Sequence, residues 1–136
     1  MNHGNHQNHG KLIYESETFA IQGAIFDVYK EMGSGFFKPV YIECLSRELT
    51  LRRIPFVCQK PIGITYKGES LISHYIPDFI CFGKILVELI TAKEIMPEHQ
   101  ARMLNYLKVT SLNLGIIANL GAHPKATIKR MIKTNP

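Results

Sequence analysis

The chain has 136 residues and a formal net charge of +5. A chain of this length suits one domain and can bury roughly two-thirds of the surface that its unfolded form exposes. The basic excess permits a polyanionic partner such as nucleic acid without identifying one. No apolar run reaches the roughly 18 residues that cross a bilayer, and the N-terminus lacks the basic-then-apolar order of a signal peptide. We therefore expect a cytoplasmic protein with no membrane partner.

The cysteines and the N-terminal histidines do not indicate a zinc site. Cys44, Cys58 and Cys81 have no CxxC spacing and lie in apolar segments, which is typical of buried free thiols in a reducing compartment.

Residues 1–11 are rich in Asn, Gly and His and predict a disordered tail. The alternative is that the tail histidines, spaced three apart, collect a transition metal. A single domain is expected over residues 12–136.

Two amphipathic helices are predicted in the first half of the chain. Apolar residues recur at helical spacing over residues 17–32, with Ser16 as a candidate N-cap and Gly33 as a candidate C-cap. Pro39 suits the first turn of a second helix, which should stop before Ile54.

Segments with strand character follow the second helix. Residues 56–58 and 62–66 are predicted strands, interrupted at Pro61. Lys67-Gly68 is typical of a turn. It leads into a further predicted strand over residues 69–82.

Asp78 and Glu88 are the only acids in the apolar stretch 75–90, which we interpret as a hairpin of two strands. Because side chains alternate between the faces of a strand, the length of the connecting loop decides whether the acids meet. A two-residue turn would set Asp78 opposite Leu89 and bury each acid separately. We therefore favour a three-residue loop, residues 82–84, which sets Asp78 opposite Glu88 with roughly 5 Å between their Cβ atoms.

Two buried carboxylates that face each other repel, and each loses its hydration. Such a pair is best explained by a shared metal ion or a shared proton. Asp78 and Glu88 therefore mark the expected site of chemistry.

Both faces of the predicted hairpin are apolar, so helices should cover both sides of the sheet in an α/β/α architecture. Pro97 opens a predicted helix that ends near Thr110. Residues 114–118 form a predicted buried strand, reached by a crossover that makes a βαβ unit. Residues 127–132 are predicted to be either an edge strand or a helix.

The order of elements and three motifs resemble a known superfamily. Pro77-Asp78, followed after nine residues by Glu88-Leu-Ile90, resembles the PD-(D/E)XK signature of restriction-endonuclease-like nucleases. Residues 35–41 resemble the G-x-x-E-x-x-Y element of a family in that superfamily, and residues 102–108 are similar to its helical Q-x-x-x-Y segment. The resemblance covers residues 12–132 and implies a three-layer α/β/α fold with a central mixed sheet flanked by helices.

The resemblance also implies an activity, which is the hydrolysis of DNA or RNA phosphodiesters with Mg²⁺ or Mn²⁺. Asp78, Glu88 and the backbone carbonyl of Leu89 would then hold the metal ion. In such nucleases, a lysine two residues after the second acid assists the attacking water.

The chain departs from this pattern at three positions. Ile90 replaces the lysine, Lys38 replaces the glutamate of the helical motif, and Arg102 replaces the glutamine. Lys38 could bring an ammonium group into the pocket from the helix. Alternatively, Lys38 and Arg102 could neutralise the two acids directly and leave a structural charge cluster without metal.

Tyr106 belongs to the Q-x-x-x-Y segment and is a candidate site residue whose hydroxyl could contact one of the acids. His99, on the same predicted helix, is either a neighbour of the site or an ordinary surface residue. Two functions stay open on the sequence alone: a metal-dependent nuclease with altered catalysis, or a catalytically inactive nuclease-fold module that binds partners, including a second copy of itself.

Overall fold

The computed structural model describes residues 13–134, so the tail expected over residues 1–11 lies outside the described residues. Three helices and seven strands lie within the described part. In chain order they are α1 (Glu15–Met32), α2 (Lys38–Leu51), β1 (Phe56–Cys58), β2 (Ile62–Tyr66), β3 (Glu69–Tyr75), β4 (Phe79–Cys81), β5 (Ile85–Ile90), α3 (Pro97–Thr110), β6 (Leu114–Asn119) and β7 (Thr127–Ile132).

The helix α1 begins two residues earlier than predicted. Tyr14 is the N-cap residue, and Ser16 lies inside the first turn, where its Oγ donates to Glu17 Oε1 at 3.3 Å. The prediction of Ser16 as N-cap was therefore wrong. Acidic side chains in the first turn suit the positive end of the helix dipole without a side-chain cap. The helix ends as predicted at Gly33, whose φ of 71° favours glycine and whose N–H donates to the Tyr29 carbonyl.

The main sheet has five strands in the order β1-β4-β5-β6-β7. Strands β5 and β6 are parallel and the other neighbours are antiparallel, so the sheet is mixed. The predicted βαβ unit is confirmed as β5–α3–β6, and residues 127–132 form the edge strand β7 rather than a helix.

Helices cover both faces of this sheet. On one face, buried side chains of α1 and α2 pack in one cluster with Phe79, Val87 and Leu89. On the other face, Met103 and Leu107 of α3 pack with buried residues of the sheet. The predicted α/β/α architecture is confirmed.

No helix of residues 13–134 has the length and apolarity to cross a membrane.

The predicted strand over residues 69–82 is two strands in two different sheets. β3 pairs only with β2 in a separate two-stranded ribbon, whereas β4 belongs to the main sheet. Pro77 lies between them, and because proline has no backbone N–H it cannot continue a hydrogen-bonded ladder. The break places Asp78 at the junction between the ribbon and the sheet.

Some predictions of burial were wrong. Two large apolar residues of the predicted helices are exposed, Phe19 of α1 by 77% and Leu104 of α3 by 42%. All three cysteines are free, but only Cys81 is fully buried, while Cys44 and Cys58 are half-buried. Burial raises the pKa of the Cys81 thiol to about 12.

The loop after β6 passes close to the loop after β5. A Cβ atom added at Gly121 would lie 2.7 Å from the backbone nitrogen of Ala92 and 2.8 Å from its carbonyl oxygen. We expect Gly121→Ala to lower the free energy of unfolding by about 1–3 kcal/mol, because backbone atoms cannot rotate out of the way. Urea denaturation measures this effect.

Gly63→Ala in β2 is the matched control, since a Cβ atom there meets nothing within 4 Å. Its stability should stay within a few tenths of a kcal/mol of the wild type or rise slightly. Equal stability of the two variants would contradict the close approach of the two loops.

Candidate active site at the β4–β5 junction

The register of β4 and β5 brings the two predicted acids together. Phe79 pairs with Val87 and Cys81 with Ile85, which leaves the predicted three-residue loop between the strands. Continued by one position, this register sets Asp78 opposite Glu88. Two hydrogen bonds fix the arrangement: Asp78 N–H donates to Glu88 Oε2 at 3.0 Å, and Leu89 N–H donates to Asp78 Oδ2 at 2.8 Å.

Asp78 is 4% exposed and forms an ion pair with Lys38. Lys38 Nζ lies 2.9 Å from Asp78 Oδ2, and the lysine side chain remains 41% exposed. Lys38 is the first residue of α2, where the helix dipole disfavours a cation. The attraction of Asp78 offsets this cost. The ammonium group is therefore at the position that both sequence hypotheses for Lys38 require.

Glu88 also accepts a hydrogen bond from Tyr75, a residue that the sequence pattern did not indicate. The Tyr75 hydroxyl donates to Glu88 Oε2 at 2.5 Å. Burial, together with the nearby charge of Asp78, raises the pKa of Glu88 to about 7. Burial and the adjacent Glu88 also raise the pKa of Tyr75, so its hydroxyl remains a donor.

Tyr106 lies beside this network without hydrogen bonding to either acid. Its ring stacks on the ring of Tyr75, with 3.9 Å between the centroids and 16° between the planes. Burial and Glu88 raise the pKa of Tyr106. The hydroxyl of Tyr41 is also directed elsewhere, since it donates to the Gly33 carbonyl at 2.5 Å.

A cavity of about 90 Å³ opens beside Glu88, enough for several water molecules. Its wall brings together most of the sequence-predicted candidates. The lining residues are Lys38, Glu88, Leu89, Ile90, His99, Arg102, Met103, Tyr106 and Ile117.

Two residues of the cavity wall can donate hydrogen bonds to an anion. Arg102 is exposed and forms no ion pair with any residue in the range 13–134. His99 accepts the Met96 N–H at Nδ1, 2.8 Å away, which leaves its proton on Nε2. Two further polar residues lie on exposed positions: His74 on the ribbon, where its Nδ1 contacts the Ile72 carbonyl, and Lys93 after β5.

The acids fit a hydrated Mg²⁺ or Mn²⁺ ion better than a metal held by protein ligands alone. No group of three or more Asp, Glu, His or Cys residues that could hold a metal lies within residues 13–134. The hydrogen bonds of Asp78 and Glu88 use Oδ2 and Oε2, so the second oxygen of each remains for a ligand. The carbonyl of Leu89 faces the same side as its N–H, towards Asp78. Mg²⁺ is commonly bound by one or two carboxylates with water completing the shell.

The raised pKa of Glu88 predicts a pH-dependent stability. Its pKa rises from 4.5 in the unfolded chain to about 7 in the folded protein. A raised pKa contributes stability that is fully present below pH 4.5 and is lost as the pH rises through 7. Over this window, the free energy of unfolding of the wild type should fall by up to about 3 kcal/mol more than that of Glu88→Gln, whose amide does not titrate.

Urea denaturation at several pH values measures this difference. Glu43→Gln is the matched control because the side chain of Glu43 is 71% exposed on α2, and its profile should follow that of the wild type. Parallel profiles for the wild type and Glu88→Gln would show that Glu88 titrates as an ordinary surface carboxylate.

A model of the PD-(D/E)XK nuclease superfamily matches residues 15–131. No curated protein matches the sequence. The crystal structure of SSO0001 superposes with a TM-score of 0.57 at 14% sequence identity, a likeness that shows the fold alone. It covers 72% of this chain, which spans 50% of SSO0001. Because the family model covers most of the sequence, this chain belongs to the PD-(D/E)XK nuclease superfamily and has its restriction-endonuclease-like fold.

Proposed function

We propose that the protein binds nucleic-acid phosphodiesters at the cavity lined by Glu88 and Lys38, next to Asp78, the ion-pair partner of Lys38, and hydrolyses them with Mg²⁺ or Mn²⁺. One observation carries this proposal: Lys38 Nζ lies 2.9 Å from Asp78 Oδ2 at the wall of the same cavity. An ammonium group is thus available to the acids although Ile90 stands at the position of the motif lysine. From the segments 35–41 and 102–108, we also propose that the protein belongs to the G-x-x-E-x-x-Y family.

Asp78, Glu88 and the Leu89 carbonyl would hold the metal ion. When bound, the ion supplies a water of lowered pKa and screens the charge that grows on the phosphate. Lys38 places a positive charge next to the reacting group from the α2 side, where it can stabilise a developing negative charge. Its long side chain is part exposed, so the ammonium can move from Asp78 to a phosphate oxygen.

Arg102 and Tyr75 support this reaction in different ways. The guanidinium of Arg102, which forms no ion pair with residues 13–134, can donate two parallel hydrogen bonds to a phosphate at the cavity wall. Tyr75 holds Glu88 by Oε2 and leaves Oε1 free to act as a ligand. Tyr106 buttresses Tyr75 by stacking, so its part in the site is to position rather than to react.

A second candidate function is a catalytically inactive nuclease-fold module that binds nucleic acid or another partner. The same ion pair favours it, because Lys38 already supplies the positive charge that a metal would otherwise bring to Asp78. The substitution of the motif lysine by Ile90 points the same way. β7 lies at the edge of the main sheet in the described chain, and a second copy could pair there to form a homodimer.

The first function predicts metal-dependent cleavage that needs Lys38. With Mn²⁺ or Mg²⁺, the wild type should cleave labelled DNA or RNA, and Lys38→Ala should lower the single-turnover rate about 100-fold through loss of one charge-stabilising donor. Asp78→Ala should be inactive. Lys93→Ala removes an exposed lysine from the loop after β5 and should cleave at the wild-type rate.

The outcomes separate the parts of this proposal. If Lys38→Ala and Lys93→Ala cleave equally well, Lys38 has no catalytic part. If the wild type cleaves neither single-stranded nor double-stranded substrates with either metal ion, the enzymatic function is wrong and the binding module is favoured.

The second function makes a different prediction. The wild type should bind nucleic acid without cleaving it, and the double change Lys38→Glu with Ile90→Lys should restore cleavage, because it returns a carboxylate to α2 and an ammonium to β5. Calorimetry with Mn²⁺ checks that the variant gains metal affinity. If a folded, metal-binding triple variant that also carries Arg102→Gln stays inactive, descent from a nuclease through these positions is the wrong account.

A further inference from the structure

The residue directly before Lys38 has an exposed aromatic side chain. Phe37 is 83% exposed and is the N-cap residue of α2, directly before Lys38. Its Cα atom is therefore about 3.8 Å from that of Lys38. Ile76, two residues before Asp78, is 52% exposed. Exposed apolar residues thus lie one position before Lys38 and two positions before Asp78 in the chain, and exposed apolar surface near a polar site is typical of a contact surface.

The segment that carries Phe37 is held in place. The hydroxyl of the buried Tyr41 donates to the Gly33 carbonyl at 2.5 Å and accepts the Phe36 N–H at 3.2 Å. The rings of Phe36 and Tyr41 pack edge to face, with 6.1 Å between their centroids. Phe37 has an ordinary extended backbone, with φ of −75° and ψ of 153°, and carries no backbone strain. The aromatic ring is presented to solvent by an ordered support.

We propose that Phe37 stacks on an unpaired nucleobase and that the substrate is single-stranded nucleic acid or a single-stranded end. This inference rests on the proposed function, because the phosphate beside the stacked base would lie near Lys38 and Arg102. An aromatic platform next to a cationic groove is the usual composition of sites for single strands. A base inside a duplex is already paired and stacked on both faces, so it offers no free face to Phe37.

Binding of labelled single-stranded and double-stranded oligonucleotides, measured by fluorescence anisotropy with EDTA present, tests the inference without cleavage. Phe37→Ala should weaken binding of the single strand about 5- to 100-fold, which corresponds to about 1–3 kcal/mol. Binding of the duplex should not change. Phe37→Trp should bind the single strand with about the affinity of the wild type, since the larger ring also stacks.

Phe19→Ala is the matched control. Phe19 is also a phenylalanine of high exposure, 77%, but it lies near the other end of α1, about 21 Å along the helix from Gly33. Its loss should leave both affinities unchanged. Arg102→Ala should weaken binding of single and double strands alike, because it removes a phosphate contact rather than a base contact.

Each result has a distinct meaning. If Arg102→Ala weakens binding while Phe37→Ala matches Phe19→Ala, the stacking role of Phe37 is wrong and the proposed function stands. Equal weakening of single-strand and duplex binding by Phe37→Ala would overturn the preference for unpaired bases. A wild type that binds no nucleic acid overturns both proposals together.

Discussion

The meeting of two carboxylates at the start of β4 and the end of β5 is the constraint on which the rest of the site depends. Asp78 is almost fully buried and Glu88 faces it one strand away, so the fold must supply positive charge and hydrogen-bond donors. The supply comes from separate elements: α2 brings Lys38, β3 brings Tyr75, and the backbone N–H groups of Asp78 and Leu89 complete the set. Sheet, ribbon and helix are therefore joined at one point.

The charge of the side chain at position 38 decides what the site can bind. A carboxylate at this position would add a third acid to the pair and raise the demand for a metal ion. Lys38 has the opposite effect, since it neutralises Asp78 in the absence of any ion. A metal ion must then compete with an ammonium group for one carboxylate. The proposed catalysis requires the ammonium group to remain in the pocket while it leaves Asp78, and the partial exposure of the lysine side chain permits this movement.

The sequence predicted the parts of the site that depend on local geometry. Strand alternation and the three-residue loop were enough to set Asp78 opposite Glu88, because a shift of one residue would have inverted one side chain. The resemblance to the G-x-x-E-x-x-Y motif was enough to predict Lys38 beside the acids. Tyr75 was missed because a single strand over residues 69–82 sets it on the opposite face from Asp78. Pro77 is a local signal for the break, but the pairing of β3 and β4 in different sheets is set by tertiary contacts.

Ile90 and Lys38 both line the cavity, but they come from different elements. Ile90 packs with the apolar cluster between the sheet and α3, which includes Leu86 and Met103, and it also lines the cavity. A lysine at position 90 would pass its aliphatic chain along this wall and bring its ammonium group into the cavity, whereas isoleucine contributes only apolar surface. Lys38 holds its ammonium group at a part-exposed helix end on the α2 side of the acids. One cation therefore lies beside the acids although residue 90 presents only apolar surface.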